Sequence, residues 1–307
     1  MDYVLLVLGF VLLIKGADFF VDGSSSVAKR LKVPSLIIGL TIVAMGTSAP
    51  ECAVSISAAL AGSNELAISN AVGSNIMNLM FICGVCAIMC PMNVKKSSLL
   101  QEYPISVGAA ALLMVFGLTG MMVGRLEGIL LLLAFAAFLT WTVVTALKSR
   151  QEAEEDYKIL PVWKCLLFII GGMAAIIFGA DFVVDSASAI AASFGLSENL
   201  IGLTVVAFGT SLPELVTSVV AAKKGEVDMA LGNVVGSNIF NILLVLGIAG
   251  AISPFAFIGE NIVDIVALIA MSALVWVMAW KNKKLVRWNG AVMAAVYLGY
   301  MVYVCVR

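Results

Sequence analysis

The amino-acid sequence predicts an all-α membrane protein with ten transmembrane helices, arranged as two inverted-topology five-helix repeats. Three observations predict it. Apolar runs of about 20 residues, long enough to span a bilayer, recur along the whole chain. The basic residues collect in alternate connectors. The chain also matches itself when shifted by 163 residues, which lays position 46 on position 209.

The spans come first. Of the 307 residues, 62% are hydrophobic and 12% charged, far from the composition of a soluble domain. Length and periodicity place helices near 3–20, 34–61, 66–90, 104–121, 126–147, 161–184, 198–222, 228–251, 260–280 and 288–305. The opening "YVLLVLGFVLLI" lacks the basic start and small-residue cleavage site of a signal peptide. It runs on into Lys15, Asp18 and Asp22, so it reads as a span. The least apolar connector, "KSRQEAEEDYK" at 148–158, separates a first five-helix half (1–147) from a second (161–307). The linker between them, 148–160, is too short to hold a folded domain.

Orientation follows from charge. Lys29, Arg30, Lys32, Lys95, Lys96, Lys148, Arg150, Lys158, Lys223, Lys224, Lys281, Lys283, Lys284 and Arg287 all fall in alternate connectors; Arg125 and Arg307 fall in the others. The positive-inside rule then makes the rich side cytoplasmic, linker included, with both termini outside a cell or inner membrane. A net charge of −1, with the basic residues between spans, gives no reason to expect nucleic acid, and no segment asks for an obligate protein partner. The expected surroundings are the lipid bilayer.

The self-match rests on three motifs. "GADFFVD" (16–22) falls on "GADFVVD" (179–185), "GTSAPE" (46–51) on "GTSLPE" (209–214), and "GSNIMN" (73–78) on "GSNIFN" (236–241). Gly39, Thr41 and Asn70 fall likewise on Gly202, Thr204 and Asn233. Five spans per half is an odd number, so the halves enter the membrane from opposite sides. Secondary transporters of this architecture hold their substrates near the midplane, between the repeats.

The motifs carry the chemistry. Pro50 and Pro213 cannot donate a backbone hydrogen bond and disturb the preceding turn, so each motif should break or kink its helix near mid-span. Carbonyls freed there, such as those of Ala44 and Ala207 or Thr47 and Thr210, become candidate ligands. Thr47 and Ser48 lie four and three residues before Glu51, which lets all three face one way. Ser74 and Asn78 are four apart, as are Ser237 and Asn241. The resulting inventory is carboxylate, hydroxyl, amide and carbonyl oxygen, the donor set of a hard cation such as Ca²⁺ or Na⁺. A charged residue at the bilayer centre costs at least about 2.5 kcal/mol. Two facing carboxylates also repel, which protonation of one or a single bound divalent cation relieves. Tight helix packing through small residues is a second use open to the Gly-Ser-Asn segments. Asp18, Asp22, Asp181 and Asp185 read as interfacial or packing residues at helix ends, with attracting cations or lining a gate as the functional alternative, and Lys15 either pairs with Asp18 or snorkels.

Other chemistries lack their residues. The six cysteines, all but Cys305 well inside apolar runs, include a C-x-x-C, but the chain has no His to complete a transition-metal site, so buried inert thiols are expected. No H-E-x-x-H and no recognisable nucleophile setting is present, so no enzyme activity and no resident cofactor are expected.

With these motifs the chain resembles the cation/calcium antiporter superfamily, in its prokaryotic sodium/calcium exchanger branch. The resemblance rests on G-T-S-x-P-E on the second helix of each half and G-S-N-I-x-[ND] on the third, and it covers the ten-span layout. It implies that Glu51 and Glu214 hold a central Ca²⁺ with the carbonyls of Thr47 and Thr210. It further implies flanking Na⁺ sites, one from the Ala44 carbonyl, Thr47, Ser48 and Ser74, the other from the Ala207 carbonyl, Thr210, Ser211 and Ser237. Asn78 and Asn241 would line the middle. Some members carry Asp at the position of Asn241, and in the potassium-dependent branch that Asp is linked to K⁺ use. Asn241 therefore implies K⁺ independence and a site with two formal negative charges. The expected activity is Na⁺/Ca²⁺ antiport by alternating access, with the first and sixth helices sliding against the rest. A Ca²⁺/H⁺ antiporter on the same scaffold and a cation channel are the alternatives.

Overall fold

Long apolar stretches with few breakers leave the backbone only one way to satisfy its hydrogen bonds in lipid, and the chain is accordingly helical. The computed structural model describes residues 1–62, 64–148, 159–195, 205 and 207–306. Its helices are α1 (Asp2–Leu31), α2 (Ser35–Thr47), α3 (Ala49–Leu60), α4 (Leu66–Met89), α5 (Lys96–Leu118), α6 (Arg125–Lys148), α7 (Val162–Ser193), α8 (Leu212–Lys223), α9 (Val227–Ile252), α10 (Gly259–Asn282) and α11 (Arg287–Val306). Among the described residues eight are long and apolar enough to cross a membrane, and the bent pair α2–α3 makes a ninth. The protein is a multi-pass membrane protein. The predicted linker beyond Lys148, and the start of the predicted span 198–222 with Gly202 and Thr204, lie outside the described residues.

Three boundaries differ most from the sequence expectation, one of them the start of α5 at Lys96 rather than near 104. α1 runs on to Leu31 rather than stopping near 20, and α7 to Ser193 rather than 184. "GSSS" at 23–26 has the composition of a loop in water. Here Gly23, Ser24, Ser25 and Ser26 are buried, and a Cβ on Gly23 would lie 3.0 Å from the Cys165 carbonyl. Small residues let the helix continue against α7. It ends where Lys32 turns left-handed (φ 57°) and Pro34 forbids a further turn. Asp18 and Asp22 are therefore inside a helix, not at its end.

α1 and α7 are joined by a glycine seam. A Cβ on Gly9 would lie 2.9 Å from the Gly179 carbonyl, and one on Gly16 2.8 Å from that of Gly172. The reciprocal approaches, Gly172 to Gly16 and Gly179 to Gly9, are 2.7 and 2.8 Å. Paired numbers rise on one helix as they fall on the other, so the two run antiparallel with seven-residue spacing.

Short strands close the ends of the bundle. β1 (Met92–Asn93) pairs with β4 (Lys284–Leu285), and β2 (Met122–Val123) with β3 (Phe255–Ala256), both antiparallel. The first pair joins the connectors holding Lys95 and Lys283, the second the connectors beside Arg125. The ion pairs Lys29–Glu226 and Lys95–Asp228 bring further basic connectors together. Arg30 Nη2 donates to the Leu160 carbonyl at 3.0 Å. The basic connectors thus gather at one end of the bundle.

Candidate cation-binding site

The site is built from two matching breaks. α2 is widened by a π turn at Gly39–Val43 and stops at Thr47; Ser48 (φ −84°, ψ 10°) leaves helical geometry, and α3 departs at 49°. In the second half the short helix Ala207–Gly209 is followed by a turn at Thr210, and Ser211 (φ −93°, ψ 7°) precedes α8. Pro50 and Pro213 sit in the first turn after each break, where a missing N–H costs nothing. The Ala44 carbonyl differs from expectation. It keeps a bond from the Ser48 N–H at 3.0 Å, so the kink does not free it, and only its second lone pair can face a ligand.

Glu51 and Glu214 fall in the first turn of α3 and α8, where the exposed N–H groups of a helix terminus favour negative charge. Both are fully buried, 0% exposed. Each is held by the serine of the opposite half. Ser48 Oγ donates to Glu214 Oε1 at 2.8 Å, and Ser211 Oγ donates to Glu51 Oε1 at 3.3 Å, with Ser74 Oγ also 3.3 Å away. Ser74 lies beside Glu51, and Thr47 and Ser237 beside Glu214. The π turns Met77–Ile82 in α4 and Asn241–Val245 in α9 swing Asn78 and Asn241 into the same buried layer. The segment of Asn78 packs on α8, that of Asn241 on α3.

Five buried oxygens here lack a hydrogen-bond partner: Glu51 Oε2, Glu214 Oε2, Asn78 Oδ1, Asn241 Oδ1 and Ser237 Oγ. Buried polar atoms are normally satisfied, and an unpaired cluster of oxygens is what a hard cation completes. No group of three His, Cys, Asp or Glu side chains occurs among the described residues, so the donor set holds two carboxylates and no soft ligand. Cys83, Cys86 and Cys165 are buried free thiols.

A surrounding shell was not read as functional from the sequence. Thr47 Oγ1 donates to Asn233 Oδ1 at 3.0 Å, and Asn233 Nδ2 to Ser218 Oγ at 2.9 Å. The matching Asn70 Nδ2 donates to Ser55 Oγ at 3.1 Å. Ser55 and Ser218 each stand four residues after a motif glutamate and 163 apart, a signal that was present. The aspartates of α1 meet Lys224 rather than Lys15: Nζ is 2.7 Å from Asp18 and 2.6 Å from Asp22.

A model of the family described as "Sodium/calcium exchanger protein" matches residues 1–144 and 164–306, one match per half. The inner membrane protein YrbG of Escherichia coli is 36% identical, the alignment covering 89% of this chain and 88% of that one. The sodium/calcium exchanger MaX1 of Methanosarcina acetivorans is 32% identical over 98% of this chain and 97% of its own. The solved structure of the sodium-calcium exchanger NCX_Mj soaked with Na⁺ and Ca²⁺ superposes with a TM-score of 0.86 at 34% identity, covering 98% of this chain and 97% of that one. Two breaks, two crossed carboxylates and an oxygen-only donor set thus coincide with full-length similarity, and the chain belongs to the sodium/calcium exchanger protein family.

Proposed function

We propose that this protein exchanges Na⁺ for Ca²⁺ across its membrane by alternating access, independently of K⁺, and exports Ca²⁺ where the Na⁺ gradient points inward. The observation that carries the reading is the crossed pair: two fully buried carboxylates, each clasped by the serine of the other half, with one oxygen of each left unpaired. Glu51 and Glu214 are neutralised together by one Ca²⁺ or by two Na⁺. The ions draw on overlapping oxygens, so they compete and cross on separate steps. In this reading Thr47, Ser48, Ser74 and the Ala44 carbonyl hold one Na⁺, while Thr210, Ser211, Ser237 and the Ala207 carbonyl hold another. Asn78 and Asn241 bear on the centre. One Na⁺ beyond the two that balance the carboxylates makes the cycle electrogenic, worth about 2.3 kcal/mol per 100 mV for each charge moved.

The scaffold of this reading has ten spans in two inverted halves, 1–147 and 161–307, around a cytoplasmic linker, with both termini outside. Its support is the antiparallel α1–α7 seam and the gathering of basic connectors at one end. α1 and α7 are the pair that slides against the rest, and the close glycine seam between them supports their moving as one unit. The test is ⁴⁵Ca²⁺ uptake into liposomes under imposed Na⁺, K⁺ or H⁺ gradients at clamped voltage. Uptake driven by outward Na⁺ alone is expected. Na⁺-independent uptake driven by pH would replace the reading with Ca²⁺/H⁺ antiport, and unitary currents would replace it with a channel.

A further inference from the structure

The asparagine of each Gly-Ser-Asn segment, Asn75 and Asn238, lies next to the site without belonging to the donor set above. The two reach across the halves reciprocally. Asn75 Nδ2 donates to the Asn238 carbonyl at 3.0 Å, and Asn238 Nδ2 to the Asn75 carbonyl at 3.2 Å. Both side chains are buried.

That reciprocal pair fixes more than packing. A backbone carbonyl only accepts, so the amide nitrogen of Asn75 must face it, and Oδ1 must face the other way. Oδ1 also only accepts. It receives Asn241 Nδ2 at 3.2 Å, which leaves Asn241 one orientation, with its nitrogen toward Asn75 and its Oδ1 turned away, buried and unpaired. An amide has an acceptor end and a donor end, and only the acceptor end attracts a cation. The geometry points to Asn75 as a positioning residue that sets the amide of Asn241 oxygen-first toward the cation. This role rests on the Na⁺/Ca²⁺ exchange reading and adds a residue to it.

The counterpart bond is not made. By the 163-residue match Asn78 Nδ2 should donate to Asn238 Oδ1, yet both amide atoms of Asn78 and Asn238 Oδ1 are without partners. One central asparagine is held and the other is free to turn. Asn241 is thus the pre-oriented ligand, and Asn78 becomes oriented only by what it binds.

The experiment is a double-mutant cycle on Na⁺-driven ⁴⁵Ca²⁺ uptake in liposomes, using wild type, N75A, N241D and N75A/N241D. A carboxylate presents an acceptor whichever way it turns, so Asp at 241 has no need of orientation. The KM for Ca²⁺ is expected to rise about 10-fold in N75A with the maximal rate little changed, and to change by less than about 2-fold when N75A is added to N241D. An equal rise in both backgrounds would show that Asn75 only packs the helices and would overturn the assignment. Should N75A not accumulate, N75S carries the same expectation: its hydroxyl can still donate to the Asn238 carbonyl but is too short to hold Asn241. Ca²⁺ uptake that survives in E51Q would instead strike at the exchange reading itself, so the two failures are separable.

Discussion

At the residue scale, the protein buries two acids that a bilayer should reject. Each carboxylate takes one hydroxyl bond from the opposite half and sits at a helix N-terminus, which lowers the cost of burial without cancelling the charge. Glu51→Gln and Glu214→Gln each keep the shape and remove the charge. Each is expected to abolish Ca²⁺ uptake while the protein still accumulates and runs as a single peak in detergent, read by flux assay and size-exclusion chromatography. Thr47→Ala and Ser211→Ala remove a hydroxyl but no charge. They should shift half-activation by Na⁺ upward by roughly 3- to 10-fold, about 0.7–1.4 kcal/mol, before Ca²⁺ affinity moves. Unchanged Na⁺ activation would remove those two side chains from the Na⁺ sites.

At the element scale, the proposed donor residues stand out in the sequence because their motifs repeat, and the breaks in the helices carrying them because proline and glycine punctuate them. The C-terminal ends of α1 and α7 do not stand out, whereas the ends of α4, α6, α9, α10 and α11 lie close to expectation. Gly23 to Ser26 signal a loop only when water is the alternative, and here the alternative is the flank of α7. The shell asparagines were equally hard to weigh: Asn75 and Asn238 stand inside the quoted motif, but a bond from one half to the other cannot be read from spacing within either half. The seam yields its own prediction. Gly172→Val drives a branched side chain into the backbone of Gly16 and Phe20, and overpacking of this kind costs about 1–3 kcal/mol. It is expected to lower the melting temperature in detergent and, on the proposed cycle in which α1 and α7 move together against the rest, to slow transport more than it weakens Ca²⁺ binding. Binding lost in proportion to rate would argue that the seam shapes the site rather than the movement of the pair.

At the scale of the whole molecule, alternation of charge was the sequence's guide to sidedness, and the two strand pairs and the ion pairs show the same sorting in space. Which compartment each end faces is a matter for chemistry on the native protein. Cys305 is exposed near the end of α11, whereas Cys83, Cys86 and Cys165 are buried. A membrane-impermeant maleimide added to intact cells should label Cys305, and Cys305→Ser should abolish that label. Labelling that needs lysed cells would reverse the orientation.

Lys224, which bridges Asp18 and Asp22, has no twin: stepping back 163 positions arrives at Ala61, while the aspartates themselves do recur as Asp181 and Asp185. Among the described residues, the salt bridges that tie the long first helix to the bundle thus lie near its basic end. Contacts of this partly hydrated kind contribute about 0–1 kcal/mol each, enough to tilt an equilibrium severalfold and too little to lock it. On the proposed alternating-access cycle the Lys224 strap favours closure at one end over the other, and Lys224→Ala should make apparent affinities measured from the two compartments more nearly alike.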